Sequence, residues 1–198
     1  MTLILVRHGR TDANASGLLL GRLDPPLDPE GHRQAALVAE AVKARAPGTR
    51  RVLSSPLART LATAEAIAER LGLDVQVDDR WIELDYGDLD GRPLRDVPAD
   101  LWARWKADPG LAAGGGESLV ALGERVRLAV GDLAEDVSNG DVVVVSHVSP
   151  IKAAVIWALG VGDETAWRMF LAPASITRIA WRGVEPSLVG FNDVSHLG

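Results

Sequence analysis

Leu3-Ile4-Leu5-Val6-Arg7-His8-Gly9 is an apolar run that breaks off at a cation, an imidazole and a glycine. Its length and β-branched content predict a buried strand. A buried strand has no use for Arg or His in its interior, so Arg7 and His8 belong where the strand ends. In open α/β sheets that edge is where ligands bind. Arg offers a forked permanent cation and His a nitrogen able to attack, a pairing suited to phosphate. The same pattern returns at Asp141-Val142-Val143-Val144-Val145-Ser146-His147. Its unbroken valines predict a strand covered on both faces, at the centre of a parallel sheet.

Between these runs, apolar segments alternate with amphipathic ones. A loop from about Arg10 to Glu30 leads into a helix with Ala35, Val38 and Val42 on one face. Residues 51–54 read as a strand. Ser55-Pro56 reads as an N-cap followed by Pro at the first helical position. The helix behind it carries Leu57, Leu61, Ala64, Ile67 and Leu71 and stops at Gly72. Leu73 to Val77 is a third strand. A long helix covers Leu119 to Leu133, Ser149-Pro150 repeats the cap-then-Pro pattern, and that helix ends near Gly160. Ile176 to Trp181 and Ser187 to Phe191 close the sheet. The expected architecture is a three-layer α/β/α sandwich with a mostly parallel central sheet. It forms one domain over 1–198, with residues 85–116 as a small insertion above the active-site edge. Trp102 and Trp105, three apart on one helical face, are read as packing that insertion onto the body rather than as a pocket wall.

Composition narrows the function. The 198 residues are 47% hydrophobic and 24% charged, enough for a sizeable core, with a net charge of −6. An acidic chain without a basic run is a poor candidate for nucleic-acid binding, although a local basic pocket can still hold an anion. The sequence has no cysteine, which excludes disulfides, thiolate zinc sites and Cys nucleophiles. No apolar run reaches membrane-spanning length and the first one is too short for a signal peptide, so no membrane partner and a cytoplasmic setting are expected. A homodimer is left open.

Parallel strands would bring His8 and His147 to one edge. Ser54-Ser55 ends a strand at that edge, and Arg59 follows in the first turn of the next helix. Two imidazoles, two guanidinium groups and the positive ends of helix dipoles then converge. Leu5-Val6-Arg7-His8-Gly9-Arg10-Thr11 with Asn14 resembles the Arg-His-Gly signature of the histidine phosphatase superfamily, which includes the cofactor-dependent phosphoglycerate mutases. Gly21-Arg22-Leu23-Asp24 with Pro26-Leu27, Ser54-Ser55-Pro56-Leu57-Ala58-Arg59-Thr60, Glu83-Leu84-Asp85-Tyr86-Gly87 with Gly91, Gly115-Gly116-Glu117-Ser118 and Val144-Val145-Ser146-His147 follow in the family's order.

The resemblance implies that His8 attacks phosphorus and forms a phosphohistidine. Arg7, Arg59 and His147 hold the phosphoryl oxygens. Glu83 protonates the leaving alkoxide and then activates water. Phosphoryl transfer needs positioning and charge compensation, which arginines supply without a metal or another cofactor. Asn14 and Thr11 are either phosphate contacts or turn residues. Gly9 gives clearance for a close phosphate, and Arg22 orders its loop.

Two positions depart from the family. Arg10 stands where Glu or Gln is usual, either as a substrate contact or as a partner of Asp12 or Glu30. Val148-Ser149-Pro150 stands where many members have Gly; there Ser149 is expected to cap the helix. The implied activity is a metal-independent phosphomonoesterase acting on a small phosphorylated metabolite. A phosphoglycerate mutase is the alternative, disfavoured by the short 83–117 segment and by Leu84-Asp85 where mutases carry Arg-His. A non-catalytic phosphometabolite-binding protein is the alternative of another class.

Overall fold

In the computed structural model, which describes residues 1–181 and 185–198, six strands form one sheet in the order β3-β2-β4-β1-β5-β6. In chain order the elements are β1 (Thr2–Arg7), α1 (Asp12–Ala15), α2 (Pro29–Arg45), β2 (Thr49–Ser54), α3 (Ala58–Leu71) and β3 (Val75–Val77). They continue with α4 (Ala99–Ala107), α5 (Leu119–Asp132), α6 (Ala134–Asn139), β4 (Asp141–Ser146), α7 (Val148–Leu159), β5 (Ile176–Trp181) and β6 (Pro186–Asp193). Strands β1 to β4 pair in parallel, while β5 and β6 run antiparallel at one side. The sheet is therefore mostly parallel, as expected.

The valine strand β4 lies between β2 and β1, and Val142 to Val145 are fully buried. Alternation along the strands divides them between two cores. Leu3, Leu5, Leu53, Val142 and Val144 meet Leu122, Val126, Ile151 and Ile156 of α5 and α7. Ile4, Val6, Val52, Val143 and Val145 meet Val38, Val42, Ala64 and Ile67 of α2 and α3. The helices thus cover both faces and make three layers. Leu89, Val97, Trp105 and Ala113, from residues 85–116, join the first of these cores.

Local details differ from expectation at three helix starts. Helix α3 begins at Ala58 with Leu57 as N-cap, so neither Ser55 nor Pro56 serves the cap roles assigned to them. Helix α7 begins at Val148 with His147 as N-cap, so Ser149 lies inside its first turn. Helix α2 begins at Pro29, where the Asp28 carboxylate accepts from the Gly31 N–H at 2.7 Å. The third strand is shorter than expected, because Leu73 and Asp74 fall outside it. The helix ends at Gly72 and Gly160 are as expected: both glycines take the left-handed conformation at φ +73° and +63°.

Candidate active site

Parallel register sets the site. Arg7 pairs with Ser146 across β1 and β4, which puts His8 level with His147 just past the strand ends. The ladder continues one step further, as the His8 N–H donates to the Ser146 carbonyl at 3.0 Å. The Ser55 N–H donates to the Val145 carbonyl at 3.1 Å, so Ser55 reaches the same edge from β2. The two imidazole centroids are 5.1 Å apart.

His8 Nδ1 lies 2.7 Å from the Gly9 carbonyl. A carbonyl only accepts, so Nδ1 carries the proton and Nε2 keeps its lone pair. His8 is 3% exposed, and burial, then Arg7 and Arg59, hold its imidazolium form well below the ordinary histidine range. His147 is fully buried and displaced in the same direction, first by burial and then by Arg59, His8 and Arg7. Its Nε2 lies 2.7 Å from Ser55 Oγ, while Nδ1 has no partner among the described residues. Ser55 is the site residue that sequence reasoning missed. Its signal was absorbed by the cap reading of Ser55-Pro56.

The arginines are anchored by backbone carbonyls. Arg7 Nη1 donates to Leu171 at 2.6 Å, and burial pulls this guanidinium down to about 10. Arg59 donates from Nη1 to Leu23 at 2.7 Å and from Nη2 to Gly21 at 2.8 Å. Burial also lowers its pKa, and Asp24 lies 3.7 Å away. Both Nε atoms are buried without a partner among the described residues.

Glu83 follows β3 through a 3₁₀ turn (Asp79–Trp81) and is pinned from two sides. Ser146 Oγ donates to the Trp81 carbonyl at 2.6 Å. Arg125 donates to the Arg80 carbonyl at 2.6 Å and is itself held by both carboxylate oxygens of Glu117 at 2.7 and 2.8 Å. The Glu83 carboxylate accepts from the Leu84 N–H at 2.8 Å and from the Val148 and Ser149 N–H groups at 3.1 Å each. It therefore takes the place at the α7 N-terminus that was expected of the Ser149 hydroxyl.

A cavity of about 170 Å³ opens over this edge, lined among others by Arg7, His8, Asn14, Glu83, Tyr86 and Val148. Arg59 and His147 are fully buried beside it and do not line it. Thr11 Oγ1 accepts from the Asn14 N–H, and Asn14 Oδ1 accepts from the Thr11 N–H, a reciprocal cap on α1. Both turn roles are thus filled, and Asn14 also faces the cavity. Arg10 Nε binds Asp28 at 2.7 Å, not Asp12 or Glu30, and Arg10 does not line the cavity. Arg22 lies 3.7 Å from Glu117, in keeping with its loop role. A Cβ on Gly9 would fall 2.4 Å from the Gly31 carbonyl oxygen, so it is the α2 N-terminus that requires glycine there. No cluster of potential metal ligands occurs among the described residues.

A family model for the histidine phosphatase superfamily (branch 1) matches residues 3–194. Mycobacterial relatives are 36% identical over 178 residues, and the chain spans 49%, about half, of their length. Phosphoserine phosphatase 1 of Hydrogenobacter thermophilus is 35% identical over 201 residues, covering 99% of this chain and 94% of that one. A probable phosphoglycerate mutase of Salmonella paratyphi C is 35% identical over 203 residues, covering 98% and 93%. A phosphoserine phosphatase mutant of Entamoeba histolytica, crystallised with phosphoserine, superposes with a TM-score of 0.90 at 28% identity, covering 99% of this chain and 98% of that one. With the six motifs in order, the paired histidines at one sheet edge and a family match across nearly the whole chain, this protein belongs to the histidine phosphatase superfamily, branch 1.

Proposed function

We propose that the chain is a metal-independent phosphomonoesterase that works through a phosphohistidine on His8, with residues 85–116 as an insertion in a single catalytic domain. The reading rests on one observation above the others. A neutral imidazole with a free Nε2 stands among buried donors that lack partners: Arg7 Nε, Arg59 Nε and His147 Nδ1. A buried donor left unmet costs about 1–3 kcal/mol. An oxyanion such as a phosphoryl group supplies acceptors for several of them at once. The phosphatase names of the relatives point the same way.

In the proposed cycle, His8 Nε2 forms a bond to phosphorus as the ester P–O bond breaks. The Gly9 carbonyl, bonded to Nδ1–H, steadies the cation that develops on the ring. Arg7, Arg59 and His147 offset the phosphoryl charge, and His147 is oriented by Ser55. Glu83, held at the α7 N-terminus beside the cavity, gives a proton to the departing alkoxide oxygen. Water then enters, gives its proton back to Glu83 and attacks phosphorus, releasing inorganic phosphate and restoring His8. Asn14 contributes a further phosphate contact from its free amide N–H₂. Arg10 and Thr11 act indirectly, one fixing Asp28 and the other capping α1.

Hydrolysis of p-nitrophenyl phosphate and a panel of phosphorylated metabolites in EDTA tests the reading. Release of phosphate by the wild type and its loss in His8→Ala are expected. Absence of release from every ester would refute the esterase reading in favour of binding alone. Transfer between the 2 and 3 positions of phosphoglycerate, in place of release, would make the protein a mutase.

A further inference from the structure

A second cavity, of about 260 Å³, adjoins the phosphate pocket and shares Leu19, Tyr86, Leu94 and Val148 with it. Its walls are aromatic. Trp102 stacks on Trp105 at 5.2 Å, and Trp167 stands edge-on to both at 5.8 and 5.1 Å. Tyr86 meets Trp105 edge-on at 5.8 Å. The indole N–H groups of Trp105 and Trp167 are buried without a partner among the described residues.

One cation belongs to this lining. Lys152, one turn into α7, donates from Nζ to the Ala166 carbonyl at 2.9 Å, which leaves two of its three N–H groups. Burial lowers its pKa, and no carboxylate pairs with it at salt-bridge distance among the described residues. Leu84 and Ser149 also line the cavity, and their N–H groups hold the Glu83 carboxylate. The cavity thus begins beside the group placed to protonate the leaving oxygen.

We propose that this cavity is the leaving-group subsite and that it selects phosphomonoesters of a flat, aromatic alcohol bearing a carboxylate. The proposal rests on the phosphoesterase reading above. The ring lies against Trp102, Trp105 and Trp167, and the carboxylate takes the spare donors of Lys152. Small polar alcohols such as serine leave the aromatic walls unfilled and gain little from them.

The test compares kcat/KM for 6-carboxy-2-naphthyl phosphate, 2-naphthyl phosphate, phenyl phosphate and phosphoserine. The naphthyl esters should exceed phenyl phosphate, whose phenolate leaves about as readily, at least fivefold. Lys152→Met should lower the ratio of the carboxylated to the plain naphthyl ester at least fivefold, through KM. Trp102→Ala should lower both naphthyl esters relative to phosphoserine. Calorimetric titration with 6-hydroxy-2-naphthoate reads the subsite without any chemistry and should give saturable binding that weakens in Lys152→Met. Phosphate release with no naphthyl preference and no binding of the naphthoate would refute the subsite alone. Saturable binding without hydrolysis of any ester would support the subsite and remove the esterase reading. A ratio unmoved by Lys152→Met would remove the carboxylate from the substrate class.

Discussion

The two nitrogens of His147 have different surroundings: Nε2 is held on Ser55 Oγ at 2.7 Å, and Nδ1, without a partner among the described residues, is the proposed donor to the phosphoryl group. If Nδ1 donates, Nε2 must accept from the Ser55 hydroxyl, so Ser55 sets the tautomer. Ser55→Ala should lower kcat/KM about tenfold, the worth of one buried hydrogen bond, with a larger effect on kcat than on KM. A loss below twofold in steady-state kinetics would show that the tautomer does not depend on Ser55. Glu83→Gln keeps an acceptor for the α7 N–H groups but gives up proton transfer. It should lower kcat about a hundredfold or more for every ester, because water attack on the phosphohistidine needs the base, while single-turnover release of p-nitrophenolate, whose departure needs no proton, should fall much less than that of an alkyl alcohol. Equal single-turnover losses on both substrates would argue against the acid role.

At the scale of elements, the close approach of Gly9 to the α2 N-terminus fixes the loop that follows His8. Gly9→Ala would force a Cβ to within 2.4 Å of the Gly31 carbonyl oxygen, backbone against backbone. The expected cost is about 2 kcal/mol or more, read as a lower urea midpoint. A midpoint within error of wild type would show that the loop yields freely. The strands and the long helices were legible in the sequence because period and burial agree: β4 is four valines covered on both faces, and α3 ends at its glycine. The helix starts were less legible. A Ser-Pro pair signals a cap, yet both pairs lie at the sheet edge that carries His8 and His147, where tertiary partners compete for the same groups. Ser55 turns to His147, and Glu83, distant in sequence by 66 positions, takes the Ser149 N–H. Such partners arise only from the pairing of strands, so no local pattern announces them. The same holds for Arg10, whose partner Asp28 becomes visible only when the 10–28 loop closes. Trp102 and Trp105 do pack the 85–116 segment onto the body, but they also line a cavity, a double role that helical spacing does not disclose.

Across the whole molecule, the buried histidines make stability depend on pH. His8 and His147 are held neutral in the fold, well below the ordinary histidine range, and His196 is lowered more modestly by burial. Unfolded, each takes up a proton near pH 6.5. Below that pH the unfolded chain binds more protons than the folded one, so stability falls as the solution is acidified and is flat with respect to these groups above it. Each fully shifted histidine adds a slope of about 1.4 kcal/mol per pH unit, or about 3 for His8 and His147 together. Urea denaturation between pH 7.5 and 5 measures the slope, and His147→Asn should reduce it by about half. A flat profile would mean that the pair titrates alike in the folded and the unfolded chain. The central claim concerns His8, and it is tested most directly by rapid alkaline quench of the protein during turnover, followed by peptide mass spectrometry. A phosphoryl group on the His8 peptide, stable in alkali, labile in acid, enriched in Glu83→Gln and absent from His8→Ala, is the predicted result. Steady release of phosphate with His8 never phosphorylated, or with the label on Ser55, would contradict it.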